Sequence, residues 1–167
     1  MKKNIIDEIS LLMMGTAGAQ VDNISVSDEQ MIEKIMTLDD IDLHGAVDGR
    51  TLLIHASFYN RKKVVEYLLE LGANLDLKDN VGFTALHAAV NSSNREIARL
   101  LLSNGADVNE KDSFGNVPMF RATHTDIDII KLLLEFGADV TIENNFGISP
   151  KLKFSAYPDI INLFNEQ

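Results

Sequence analysis

Residues 82–109 read GFTALHAAVNSSNREIARLLLSNGADVN and contain the signals for two short helices. Thr84 can cap a helix over ALHAAV, because its hydroxyl accepts from the free amides of the first turn. A second helix over REIARLLLSN places Ile97, Leu100 and Leu101 at helical spacing, and Gly105 suits the left-handed residue that ends a helix. Since neither helix can bury its apolar stripe alone, the pattern predicts helix pairs that stack on further copies of themselves.

The glycines of the chain form two series with one shared period. The first series has spacings of 33, 33 and 32 residues and consists of Gly49, Gly82, Gly115 and Gly147, and the second has spacings of 33 and 32 and consists of Gly72, Gly105 and Gly137. Segments 64–79, 96–112 and 128–144 superimpose on this period as apolar helical stripes that each contain Gly-Ala. The chain is therefore built from units of about 33 residues, which is the signature of a repeat architecture.

The third and fourth units vary the pattern in two ways. Pro118 and Pro150 fall on the first helical residue, where a missing N–H costs nothing and the φ angle of proline is already helical. The third unit is also one residue shorter between Ala122 and Leu132 than the second unit is over the equivalent interval. We expect the missing residue in the turn between the two helices, because turns tolerate changes of length.

The stretch GFTALHAAV, followed by EIARLLLSNGADVNEKD, resembles the ankyrin repeat, whose pattern is a Gly, Thr-Pro-Leu-His, an alanine pair, a leucine triplet and Gly-Ala-Asp-x-Asn. The resemblance is strongest in residues 79–111. It extends to residues 46–78, where the histidine is displaced to His55, and to residues 112–143, where NVPMFRA replaces the threonine and the histidine. It implies an all-α ankyrin-repeat solenoid of stacked helix–turn–helix units, connected by β-turn loops.

Both ends of the chain depart from the repeat. Residues 144–167 keep NNFGISP and then place Lys151 where a core leucine is expected, which fits a C-terminal capping repeat with a polar outer face. We expect residues 1–45 to form an N-terminal helical cap and a degenerate half-repeat, whose helix begins with the capping-box signature SDEQ at residues 27–30.

The first 20 residues allow two interpretations. A helix near residues 4–14 would place Ile5, Ile9, Leu12 and Met13 on one apolar face. The two lysines, the apolar run and the small residues that follow also imitate a secretory signal, although Asp7 and Glu8 interrupt its apolar part.

Composition excludes several classes of function. The chain has 15 Lys and Arg against 25 Asp and Glu, a formal net charge of −10, so it repels nucleic acid and anionic membranes. No apolar run approaches the roughly 18 residues of a membrane span. There is no cysteine, which excludes disulfides and thiolate metal sites and is compatible with a cytoplasmic location.

The residues that could take part in catalysis or metal binding are better explained by structural roles. The resemblance places His87 at the repeat's usual histidine, which implies a structural hydrogen bond, and no histidine pair has the spacing of a zinc site. The acidic run at residues 39–42 lacks the internal glycine and closing glutamate of a calcium loop, so we expect a solvated turn. The basic run at residues 61–63 is expected to be an exposed inter-helix turn. We therefore expect no enzymatic activity, no cofactor and no metal.

The resemblance implies that a partner is contacted by the turn tips and by the exposed ends of the first helices. The corresponding tip residues are Asp48, Arg50, Asn80, Val81, Phe83, Ser113, Phe114, Asn116, Asn145, Phe146 and Ile148, and the helix-end residues are Phe58, Tyr59, Asn91, Ser92, His124 and Thr125. Val81, Phe114 and Phe146 occupy the same position of three successive units. Aromatic anchors at such tips favour binding, whereas the alternative is that each ring only packs on the neighbouring turn.

Three hypotheses about function follow. The leading one is a protein-interaction module that is monomeric when free and binds another protein, not nucleic acid or a membrane, through a concave face. The second is an acidic inhibitor or immunity-type protein that neutralises a basic toxin or nuclease, which the charge of −10 motivates. The third is an enzyme whose site lies in the N-terminal cap.

Overall fold

The computed structural model describes residues 7–9, 11–13, 27–42, 44–45 and 48–166. The α-helices within these residues are α1 (Asp28–Ile35), α2 (Leu52–Phe58), α3 (Lys62–Glu70), α4 (Ala85–Asn91), α5 (Arg95–Ser103), α6 (Ile127–Glu135), α7 (Pro150–Lys153) and α8 (Pro158–Asn165), and a 3-10 helix spans Pro118–Arg121. Residues 7–9 and 11–13 are also helical, and no described residue lies in a strand. The predicted all-α stack of helix pairs is confirmed.

The helices lie in two rows. The first helices of the units form one row, in which α2 packs against α4, α4 against the 3-10 helix and the 3-10 helix against α7. The second helices form the other row, in which α1 packs against α3, α3 against α5, α5 against α6 and α6 against α8. Each helix therefore buries its apolar stripe against the neighbouring units, which is how a repeat array gains stability.

Capping residues set where the helices begin. Thr84 accepts from the backbone N–H of His87, Thr51 from that of Ile54 and Ser149 from that of Leu152, as the N-cap pattern predicts. Ser27 and Gln30 form the predicted capping box of α1. These short helices thus begin where the sequence indicates and owe the rest of their stability to packing.

One continuous apolar core connects the units. It runs from Ile9 and Met13, which are fully buried, through Ile97 and Leu101 to Phe164. Full burial of such a side chain is worth about 1.5–3 kcal/mol. Burial of Ile9 and Met13 agrees with the predicted apolar face of the N-terminal helix, whereas Ile5 and the segment on which the secretory-signal interpretation rests lie largely outside the described residues.

The third unit differs from the prediction. Its first helix is a single 3-10 segment that ends at Arg121, and the next residue, Ala122, has an extended backbone at φ −64° and ψ 143°. The shortening therefore falls within the helix and not in the turn, which here spans residues 122–126. As a consequence, His124 and Thr125 lie in the connecting loop and not at a helix end.

Lys153 compensates for the short 3-10 helix. Its Nζ donates to the backbone carbonyls of Phe120 and Ala122, which a longer helix would have satisfied itself. The ammonium also lies 4.6 Å from the centre of the Phe154 ring. Burial and the neighbouring Arg121 guanidinium lower the pKa of Lys153 to about 8.

The basic run at residues 61–63 lies at the start of α3 and not in a turn, although Lys62 and Lys63 are exposed as predicted. Arg61 caps α3, and its guanidinium, with a side chain only 15% exposed, pairs with Asp28 of α1 at 3.3 Å. Lys63 pairs with Glu29 at 2.6 Å and is one of several basic residues on the second helices that pair with a neighbouring unit. The others are Lys62 with Glu96, Arg95 with Asp128 and Arg99 with Glu135. The repeat period places these partners opposite each other, and the prediction missed the ion pairs because it treated the run as one isolated segment.

Candidate protein-binding surface

A polar side chain, buried in Asp79 and Asp112 and half-buried in Asn144, braces the tip of each of three successive β-turns. In the turn of residues 79–83, the Asp79 carboxylate accepts from the backbone N–H of Val81 at 3.0 Å and from that of Phe83 at 2.8 Å. Asp112 and Asn144 brace the next two turns in the same way, by accepting from the amides of Phe114 and Asn116 and from those of Phe146 and Ile148. The backbone of each tip is therefore fixed within its own unit.

Successive turns are also hydrogen-bonded to each other. The backbone N–H of Asn80 donates to Asp48 at 3.1 Å, and that of Ser113 donates to Val81 at 3.1 Å. The same bond joins Asn145 to Phe114 at 3.0 Å. The tips are thus aligned in a row whose backbone groups are paired along its length.

Three apolar side chains stand exposed on this row, and we refer to Val81, Phe114 and Phe146 as the tip row. Their exposed fractions are 44%, 49% and 72%, respectively. Ile148, which follows two residues after Phe146, is 39% exposed. The sequence-derived ladder is therefore present in the structure as a set of solvent-accessible apolar groups.

Phe83 does not belong to the same exposed set. Its half-buried ring stacks on His87 with centroids 5.4 Å apart, and the Arg121 guanidinium covers it at 4.4 Å. The Arg121 guanidinium also pairs with the Asp112 carboxylate. Burial alone would raise the pKa of Asp112, but hydrogen bonds from Asn116 and Arg121 hold it below its ordinary value. Phe83 is thus a contact between units as well as a tip residue.

Arg50 plays a similar structural part in the first described turn. Its Nε donates to the Asp79 carboxylate at 3.3 Å, and its guanidinium lies 5.0 Å from the centre of the Phe58 ring. Asp48 accepts from the backbone N–H of Arg50 at 3.0 Å. These charged side chains are paired with other residues of the protein. Few unpaired charges therefore remain on the surface beside the tip row.

The remaining sequence-predicted contact residues are placed as follows. Asn80, Asn91, Ser113, Thr125 and Asn145 are exposed, whereas Tyr59, Ser92 and Asn116 are half-buried. Phe58 and Tyr59 pack edge-to-face with centroids 5.0 Å apart. The structure brings the tips of successive turns together, whereas Asn91 is the last residue of α4 and His124 lies in the loop that follows the 3-10 helix.

Sequence reasoning missed Tyr157 beside His124. The two rings stack at 4.4 Å and 12°, and Tyr157 is 37% exposed. Tyr157 precedes the last helix in the unit that departs most from the repeat, so the period did not assign it a position. The pair adds an exposed aromatic group at the loops that connect the two helices of the third and fourth units.

His87 makes structural hydrogen bonds within its own unit and to the next one. The His87 ring bonds the Thr84 N–H through Nδ1 at 3.3 Å and the Asn116 carbonyl through Nε2 at 3.1 Å, so the predicted role of His87 is confirmed. Burial lowers the pKa of His87 and that of His55. Among the residues that the structure describes, no three His, Cys, Asp or Glu side chains are grouped so as to hold a metal ion. None of the described helices is long and apolar enough to cross a membrane.

Comparison with known proteins matches most of the chain to one family. A family model described as "Ankyrin repeats (3 copies)" matches residues 23–112 and 80–144. A putative ankyrin repeat protein of fowlpox virus is 35% identical over 75% of the chain, and the match covers 36% of that protein. A putative ankyrin repeat protein of Acanthamoeba polyphaga mimivirus is 44% identical over 35% of the chain and 8% of that protein. The human transient receptor potential cation channel subfamily A member 1 is 36% identical over 45% of the chain and 7% of that protein. The chain therefore spans about a third or less of the length of these relatives.

Proposed function

The chain belongs to the ankyrin-repeat family, and from that premise we propose that it binds a partner protein through the tip row. Ankyrin repeats are generally protein–protein interaction modules and typically have no enzymatic activity. The proposed surface comprises the tip row, the polar tip residues beside it and the exposed residues that follow the first helices. We further propose that the protein acts without catalysis and in the cytoplasm, a location with which the absence of cysteine is compatible.

The observation that carries the proposal is the exposure of the tip row on a backbone that is already held in place. Phe114 is 49% exposed and Phe146 is 72% exposed, yet the turns beneath them are braced by Asp112 and Asn144. Rings that stay exposed to water contribute little to the stability of the fold. A partner that covers them gains their burial, and it does not have to order a flexible loop.

The test replaces two rings together, as Phe114→Ser with Phe146→Ser. We expect the thermal midpoint to stay within about 2 °C, since substitutions of exposed residues usually change stability by less than about 0.5 kcal/mol. Binding to protein partners captured quantitatively from the native cell should weaken at least about tenfold, because apolar anchors dominate interface energies.

Two control variants separate binding from stacking. Leu71→Ser removes a side chain that is 47% exposed at the end of α3, and it should leave capture unchanged. Phe83→Ser removes a ring stacked between units and should lower the thermal midpoint. A large loss of stability in the Phe114/Phe146 variant would support the stacking alternative, and unchanged capture would contradict the proposal.

A second candidate function, inhibition of a basic protein, is favoured by the charges on the second helices. Lys62 and Lys63 are engaged in ion pairs with neighbouring units, whereas Glu66 and Glu70 form no ion pair with any described residue. The charges on the second helices that are not in ion pairs are therefore mainly negative, and the net charge of the whole chain is −10. A basic partner would associate at a rate that falls steeply with ionic strength, and a rate that is independent of salt would contradict this candidate.

A further inference from the structure

The last helix pair leaves part of its apolar face uncovered. Leu152 in α7 is 56% exposed, whereas its equivalents in the first two units, Ile54 and His87, are at most 1% exposed and its equivalent in the third unit, Phe120, is half-buried. Ile161 in α8 is half-buried, whereas its equivalent in α6, Ile130, is fully buried. In the earlier units these positions are covered by the following helix pair. We refer to this uncovered surface, which is formed by residues 141–161, as the end face.

The end face contains a cleft with one charge of each sign at its edge. The cleft has a volume of about 510 Å³, and both Glu143 and Lys151 line it together with Leu152 and Ile161. Among the described residues, the Lys151 ammonium forms a hydrogen bond only with the side-chain oxygen of Asn165, at 3.5 Å. Neither Glu143 nor Lys151 forms an ion pair with any residue of the described ranges. The two charges are therefore available to a partner.

The charge of Lys151 restricts what can cover the end face. The equivalent positions of the first three units are Leu53, Leu86 and Met119, which are at most 2% exposed. An ordinary apolar helix pair stacked on the end face would bury the Lys151 ammonium without a partner, which is costly. A matching surface must instead offer a carboxylate to Lys151, a cation to Glu143 and apolar side chains to Leu152.

The end face itself has this composition, so we propose that it binds a second copy of the chain in a two-fold symmetric dimer. In a two-fold interface the same patch meets itself, so Glu143 of each copy faces Lys151 of the other. Leu152 and Ile161 of both copies then form the apolar centre of the interface, surrounded by these charges. This goes beyond the proposed function and replaces the expectation of a free monomer, which rested on the sequence alone.

Sedimentation velocity over a range of concentrations tests the dimer, with about 0.15 M salt to screen the repulsion between two acidic chains. The parent protein should sediment as a dimer in its upper concentration range. Lys151→Glu and Glu143→Lys should each raise the dimer dissociation constant at least about tenfold, because each places like charges opposite each other. Lys131→Glu and Glu33→Lys make the same charge changes outside the end face and should leave dimerisation unchanged.

Exchange of the two charges provides the decisive experiment. The double variant Glu143→Lys with Lys151→Glu should dimerise again, because both pairs are restored in reverse. An equimolar mixture of the two single variants should form a heterodimer although neither variant dimerises alone. Sedimentation as a monomer up to about 1 mM, or a dimer that persists in both single variants, would overturn the proposal. Phe114→Ser alters the tip row and should leave the dimer intact, so failure of this proposal is distinguishable from failure of partner binding.

Discussion

Gly82 and Gly147 occupy the same position of two turns and differ only in what lies beside them. Both have a left-handed backbone, with φ of 81° and 71°. A Cβ atom on Gly82 would lie 2.5 Å from the backbone nitrogen of Ser113 in the next turn, whereas a Cβ on Gly147 would have no heavy atom within 4 Å. This pair therefore separates the cost of the backbone angle from the cost of disturbing turn-to-turn contact.

We predict that Gly147→Ala lowers the free energy of unfolding by about 1–2 kcal/mol, the usual cost of a left-handed conformation for a residue with a Cβ. Gly82→Ala should cost at least about 3 kcal/mol, because the next turn must also move. Urea unfolding of both variants measures the difference. Equal losses would show that the hydrogen bond between Ser113 and Val81 contributes little to the alignment of the turns.

His87 makes stability depend on pH. Burial lowers its pKa in the folded chain below the ordinary value of 6.5, so the unfolded chain binds the proton more tightly. The free energy of unfolding should therefore be fully retained above about pH 6.5 and should fall as the pH drops towards the folded pKa. His87→Gln keeps a side chain that can return a bond to the Thr84 N–H, but it cannot titrate.

We expect His87→Gln to cost about 1 kcal/mol at pH 7.5, because the Asn116 carbonyl loses its partner. Its stability should then fall less steeply than that of the parent between pH 6.5 and pH 5. The buried His55, whose pKa is also lowered by burial, contributes to the slope that remains, as do glutamates such as Glu135, whose pKa is lowered by a hydrogen bond from Arg99. Denaturant unfolding at several pH values gives both quantities, and parallel curves for parent and variant would show that His87 does not titrate on unfolding.

The sequence period was sufficient to find the exposed residues of the tip row but not to separate them from Phe83. The repeat period places Val81, Phe114 and Phe146 at the same position of successive turns. A turn tip is exposed to solvent wherever the next unit does not cover it. Phe83 is covered because Arg121, from the following unit, extends across it. That contact depends on the conformation of a long side chain 38 residues away in the sequence, which no local pattern encodes.

Among the elements, helix starts were predictable and some helix ends were not. A start depends on one or two residues, such as Thr84 or Pro118, whose side chains act locally. The end of the 3-10 helix depends on how the chain reaches α6. The third unit has one residue fewer than the second unit between the start of its first helix and the start of its second helix. The carbonyls freed by the shortened helix are satisfied by Lys153 from the next unit, so this end reflects tertiary structure.

The pairing of α1 with α3 gives a prediction at the level of elements. The Asp28 and Arg61 side chains are 19% and 15% exposed, whereas those of Glu96 and Lys62 are 75% and 48% exposed. A double-mutant cycle of Asp28→Ala and Arg61→Ala should give a coupling energy of about 1–2 kcal/mol, because partial burial reduces solvent screening. The matched cycle of Glu96→Ala and Lys62→Ala should give a clearly smaller coupling energy, because solvent screens this exposed pair. Similar couplings in the two cycles would show that burial does not strengthen the first pair.

Across the whole molecule, each unit is stabilised mainly by its two neighbours, so position along the stack should decide how a core substitution acts. Leu86 and Phe154 are both 1% exposed, but Leu86 lies in α4, between two other first helices, whereas Phe154 lies in the last helix pair. Either change to Ala should cost about 2–5 kcal/mol.

We predict that Leu86→Ala lowers the protection of amides from hydrogen exchange in all units together. Phe154→Ala should instead release the amides of α8 first, while those of α4 and α5 stay protected. The measurement is made at a concentration where sedimentation shows a monomer, so that dimerisation does not protect the last helix. A uniform loss of protection in the Phe154 variant would mean that the stack unfolds as one unit and not progressively from its end.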